Sequence, residues 1–205
     1  MKRTLVAALG LGLTAALALP AVTPAAAATK PTLAQILLSD TRRDAKNGFD
    51  SNPNDFDIVT QAVLLFPDLT AAASNPSANL TVFLPTDFAF RQLVRDLTGK
   101  TVYKESEIFK VVASLGVDTV KAVLMYHIIS GARIDYATAL KSDGASLTTL
   151  GGGTITVDVQ GRVFKRVVLV DKDPDLRDPK VIAANIRASN GIAHVIDRVL
   201  LPIDA

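Results

Sequence analysis

The 205-residue chain contains no cysteine. That absence excludes disulfide cross-links, a lipid-bearing cysteine, a thiol nucleophile and a thiolate zinc site. A protein of this size must then be stable through its core alone. Histidine is scarce too: His127 and His194, 67 positions apart, are the only imidazoles and make a poor zinc ligand set. Neither a G-x-S-x-G elbow nor an H-E-x-x-H pair occurs. The glycine run Gly151 to Gly153 precedes a strand pattern, whereas a phosphate-cradling loop must open a helix. The chain reads as a non-enzyme that needs no cofactor.

Charge of one sign is lacking as well. Of 22 basic and 20 acidic residues, Lys2 and Arg3 belong to the N-terminal leader described next, which leaves 20 of each. A chain with no net charge offers no electrostatic case for nucleic acid or an anionic membrane.

Long apolar runs are missing beyond the first residues. Lys2 and Arg3 precede an uncharged run from Leu5 to Leu19, shorter than a membrane span, and a small-residue Ala-x-Ala pattern ends at Ala28. Residues 1–28 therefore read as a secretory signal peptide, and residues 29–205 as a single soluble domain that is secreted and extracellular.

Helical spacing dominates the first half of what remains. Leu33, Ile36 and Leu37 mark a short amphipathic helix; a turn-rich loop, TRRDAKNGFDSNPND, runs to Asp55. A second helix, DFDIVTQAVLLF, should be capped by Asp55 or Asp57 and closed by Pro67. Leu80 to Pro85 reads as a buried strand. The next helix is capped by Thr86 or Asp87, carries Phe90, Leu93, Val94 and Leu97 on one face and stops at Gly99. Two more follow, one with Ile108, Val111, Val112 and Leu115 on its apolar face and one from Asp118 that ends near Met125, where a strand begins.

Strict alternation takes over in the last third. Ile155, Val157 and Val159 face one side and Thr154, Thr156 and Asp158 the other, with a hairpin turn at Gln160-Gly161. A second hairpin joins VIAANIRAS to IAHVIDRVLL through Asn190-Gly191. Helices first and antiparallel strands later argue for an α+β fold.

Two charged stretches merit attention. In DKDPDLRD, Asp171, Asp173 and Asp175 have the 1, 3, 5 spacing of a calcium loop, with Asp178 nearby. Leu176 and Ile182 stand where such a loop needs glycine and glutamate, and the competing reading is a solvated loop neutralised by Lys172, Arg177 and Lys180. Arg162, Lys165, Arg166 and Lys172 form a basic cluster that could meet an acidic polysaccharide, or simply a solvated face.

Three stretches together resemble the fasciclin domain: TVFLPTDFAF (Thr81 to Phe90), VLMYHIISG (Val123 to Gly131) and ASNGIAHVIDRVLLP (Ala188 to Pro202). The resemblance runs from about Thr32 to Pro202 in a single copy. It implies a fasciclin-like α+β wedge, with a β-sandwich-like core of antiparallel strands and a helical layer. It also implies a secreted adhesion module that binds a cell-surface or matrix component, an extracellular protein or glycan. In animal relatives the Tyr-His motif is associated with integrin binding, which makes Tyr126 and His127 the candidate binding residues, although their apolar flanks equally suit a core position. A soluble small-molecule or polysaccharide binder is the alternative.

Overall fold

The computed structural model describes residues 30–40 and 48–203. The leader lies outside the described residues, as does most of the loop after Asp40. Fourteen elements follow in order: α1 (Leu33–Asp40), α2 (Asp57–Leu64), α3 (Pro67–Ser74), β1 (Leu80–Pro85), α4 (Asp87–Thr98), α5 (Glu105–Ser114), α6 (Val117–Tyr126), β2 (Ile128–Ser130), α7 (Tyr136–Ala139), β3 (Ser146–Thr148), β4 (Thr154–Gln160), β5 (Arg166–Val170), β6 (Val181–Arg187) and β7 (Gly191–Ile196). The architecture is α+β, as the order of spacings predicts.

The strands form two sheets, β2-β1-β7-β6 and β3-β4-β5. All but one of the strand pairings within them are antiparallel; β1 and β7 run parallel, with Leu80 opposite Gly191 and Pro85 opposite Ile196. That pairing explains why both strands are apolar almost throughout: they are covered on both faces. Leu80, Leu84 and Ala193 point into a core shared with the helices, while Phe83 and Ile196 point into a second core between the sheets. Ile155 and Val157 of β4, with Val167 and Leu169 of β5, fill the far side of that second core. The helical layer and the sandwich thus share one central sheet.

Helix boundaries follow local chemistry where the caps are local. The Thr86 hydroxyl accepts a hydrogen bond from the Ala89 N–H (3.3 Å), and Gly99, with φ of 70°, ends α4. For α2 the expected cap is wrong. The carboxylate that receives the N–H groups of Asp57 (3.1 Å) and Ile58 (2.9 Å) belongs to Asp87, at the start of another helix. Pro67 also does more than close α2, since it is the first residue of α3, where its missing N–H costs nothing.

Asn190-Gly191 lies in the β6–β7 hairpin, but for a different reason than turn conformation. Neither residue has positive φ. Gly191 is required because a Cβ there would stand 2.6 Å from the Leu80 carbonyl oxygen and 2.8 Å from Leu33 Cδ1. Asn190 is fully buried and acts as a clamp: its Oδ1 accepts from the Leu33 N–H (2.9 Å), and its Nδ2 donates to the carbonyls of Ala73 (2.7 Å) and Asn75 (3.0 Å). One side chain so joins the start of α1, the end of α3 and the hairpin.

Removing it strands one buried donor, the Leu33 N–H, and takes a partner from two part-buried acceptors. Asn190→Ala should lower unfolding free energy by roughly 2–4 kcal/mol, read as a shift in denaturant midpoint at unchanged slope. A loss near zero would show that the clamp is dispensable.

Candidate functional site

The Tyr-His pair sits at the end of α6, where helix gives way to strand. Tyr126 is the last helical residue and His127 the C-cap, with φ of −82° and ψ of −1°. Both side chains are buried, at 1% and 4% exposure. They reach in different directions.

The Tyr126 hydroxyl donates to the Thr154 carbonyl at 2.6 Å, and its ring lies against the glycine run. A Cβ on Gly153 would come within 2.7 Å of Tyr126 Cε2, so that position is glycine because an aromatic ring fills the space a side chain would need, while Gly152 takes a positive φ of 83°. Burial, with Asp171 adding to it, pushes the Tyr126 phenol up to about 12, and it stays neutral.

His127 is held by two backbone groups whose roles are fixed. Nδ1 faces the Val123 carbonyl at 2.7 Å, which can only accept, and Nε2 faces the Leu200 N–H at 3.0 Å, which can only donate. The ring is therefore the neutral Nδ1–H tautomer. Burial depresses its pKa from 6.5 to about 4, partly offset by the Val123 carbonyl. Its own carbonyl accepts from the Phe83 N–H (2.9 Å), so this one residue touches α6, β1 and the segment after β7. His194 lies apart, on the sandwich side of β7. Its Nε2 donates to the Ile134 carbonyl (2.8 Å), and burial lowers its pKa as well.

The other signature residues behave alike. Thr81 donates to the Ala132 carbonyl (2.9 Å) and accepts from the Ile134 N–H (2.8 Å); Asp197 accepts from the Lys180 N–H (2.7 Å). Arg198 pairs with Asp96 of α4 at 2.8 Å. Nearly every polar residue that marks the three sequence stretches is engaged inside the fold.

A family model for the fasciclin domain matches residues 55–202. The chain belongs to the fasciclin domain family. Protein sll1483 of Synechocystis sp. (strain ATCC 27184 / PCC 6803 / Kazusa) is 29% identical over 135 residues, 66% of this chain and 61% of that protein. A solved FAS1 domain pair from the insect cell adhesion molecule Fasciclin I shares the fold, with a TM-score of 0.60 at 18% identity over 84% of this chain and 51% of that one. The chain thus spans less than two thirds of the length of either relative.

Fasciclin-type signature residues aside, four features remain. In the DKDPDLRD loop, Asp171 accepts from the N–H groups of Asp173 (3.0 Å) and Leu201 (2.8 Å), and Asp173 from those of Asp175 (2.9 Å) and Leu176 (2.8 Å). Asp175 is exposed and Asp178 half-buried, and these four are not among the carboxylate groups that converge in the described residues. The carboxylates that do converge are Asp50, Asp55, Asp57, Asp87 and Glu105. Asp57, Asp87 and Glu105 are the first residues of α2, α4 and α5, whose positive helix ends favour negative charge there. Burial and the neighbouring Asp55 push Asp87 up to about 10; burial, then Asp55, Asp50 and Asp57, push Glu105 to about 7. Sequence reading passed over this cluster, though alternate Asp and Asn residues in DSNPNDFD were its visible trace.

The third feature is the β4–β5 hairpin. The turn expected at Gln160-Gly161 is a five-residue loop, residues 161–165, because Gln160 pairs with Arg166. Val163 and Phe164 at its tip are 83% and 90% exposed, and Arg162, Lys165 and Arg166 beside them are exposed too. Separately, α4, α5 and α6 enclose an apolar cavity of about 250 Å³, lined by Phe90, Leu93, Val112, Val120 and His127 among others.

A neutral buried imidazole has a definite pH signature. The unfolded chain binds a proton at His127 near pH 6.5 and the folded one only near 4, so its contribution is complete above 6.5 and is lost as pH falls toward 4. The stability difference between wild type and His127→Gln, measured by denaturant titration, should shrink by about 3 kcal/mol over that interval. A difference independent of pH would refute the buried neutral state.

Proposed function

We propose that the protein is a secreted, non-enzymatic adhesion module that contacts an anionic cell-surface or matrix component through the tip of the β4–β5 hairpin. The observation that carries the reading is Phe164, 90% exposed beside Val163 on a loop flanked by three cations. Single exposed apolar residues are ordinary, but an adjacent pair on a projecting turn offers an aromatic anchor, and Arg162, Lys165 and Arg166 add charge steering. The N-terminal leader supports export, and family membership supports an interaction role. Tyr126 and His127, in this reading, set the shape of the domain; partners meet the loops that it carries.

A second reading, a carrier of a small apolar molecule, is favoured by the cavity between α4, α5 and α6. The two readings separate in one experiment. Val163→Ser with Phe164→Ser should weaken binding of the purified protein to the surface of its own source cells about tenfold or more, with the melting temperature unchanged and the remaining binding weakened by salt. Undiminished binding by the double variant would sink the hairpin as contact site, and a small ligand that raises the melting temperature of wild type and variant alike would favour the carrier.

A further inference from the structure

An acidic cluster is ordinarily a solvated face or a set of helix caps, and part of this one is. Asp87 caps α2, and Asp57 Oδ2 accepts from the Asp50 N–H at 2.8 Å. Glu105 is different. It is 2% exposed, yet neither of its carboxylate oxygens makes a hydrogen bond of good geometry: the Asp50 N–H, which leans on it, donates to Asp57 instead, and no salt bridge among the described residues includes it. A buried carboxylate left in that condition costs free energy unless something unseen meets it.

Carboxylate oxygens converge on it. One Glu105 oxygen lies within 4.8 Å of carboxylate oxygens from Asp55 and Asp87, and Glu105 also converges with Asp50 and Asp57 to the same limit. Separations of this order are those of ligands that share one ion, since oxygens at about 2.4 Å from a common centre stand at most about 4.8 Å apart. A cleft lined by Asp50, Pro53, Arg91, Tyr103 and Lys104 opens directly onto Glu105 and provides an entry path.

We propose that Asp55, Asp87 and Glu105, with Asp50 and Asp57 alongside, bind a calcium ion. The donors are all hard oxygens, without nitrogen or sulfur, which sets aside zinc and copper. Asp87 already accepts two backbone N–H groups, one on each oxygen, so only part of its acceptor capacity is left for an ion. Calcium tolerates an irregular shell and bidentate carboxylates, whereas magnesium demands an octahedron and gives up water reluctantly. The ion would tie the N-termini of α2, α4 and α5 to the loop from Asp50 to Asp55 and so rigidify one end of the helical layer. This site is independent of the adhesion reading.

Calorimetric titration and thermal unfolding of the chelator-treated protein test it, with calcium chloride or magnesium chloride as the added salt. Calcium at about 1–5 mM should raise the melting temperature by about 3 °C or more, and magnesium by clearly less. Glu105→Gln should remove the calcium shift while folding at least as stably as wild type in chelator, because it deletes a repelled charge and keeps the shape. Asp173→Asn, in the other acidic loop, should keep the shift. No heat and no shift with wild type, an equal shift with Glu105→Gln, or an equal response to magnesium would each overturn the assignment.

Discussion

A single imidazole held between two backbone groups is the constraint on which the layers depend. His127 accepts from the Leu200 N–H and donates to the Val123 carbonyl, and its own carbonyl receives the Phe83 N–H. It thereby fastens the end of α6 to the central sheet and to the segment after β7. Leu200 is fully buried between the sheets, and Val199 and Leu201 beside it in the helical core, so this short segment stitches the two cores together. Tyr126, one residue earlier, faces the other way and anchors the glycine run through Thr154. The helix-to-strand change at this point allows adjacent residues to serve opposite cores.

The same principle explains why three sequence stretches, far apart in the chain, mark the family so clearly. A buried polar residue is costly unless its partners are in place, so each tolerates little change. Asn190, Thr81 and His127 are of this kind, and the half-buried Asp197 and Arg198–Asp96 pair share the constraint in part. Recognition of the family is therefore recognition of its interior. Family membership and the site of partner contact are separate questions, and the exposed hairpin tip, with none of these constraints, is free to differ between relatives.

Much of the fold was legible because its causes are local. The bounds of β1, the Thr86 cap and Gly99 stop of α4, and the inward face of β4 all follow from spacing and capping within a few residues. What was not legible depends on convergence. The cap of α2 comes from Asp87, 30 residues away, and the parallel β1–β7 pairing joins strands that pattern alone marks only as buried. Asn190-Gly191 showed the hairpin but hid its reason, since the glycine is needed for close approach to Leu80 and Leu33. The acidic cluster was invisible for the same cause: its members start three different helices, and only packing brings them together.

The protonation state of His127 reports most directly whether its bonds to Val123 and Leu200 are made, and imidazole nitrogen NMR reads it without perturbing the fold. Nδ1 should carry the proton and Nε2 should be bare from about pH 8 to about pH 5.5, with titration setting in only below that, toward about pH 4. A titration midpoint near the ordinary value of 6.5, or a proton resident on Nε2, would contradict it, because either would mean that the bond to Leu200 is not made and that the ring is open to solvent or to a partner.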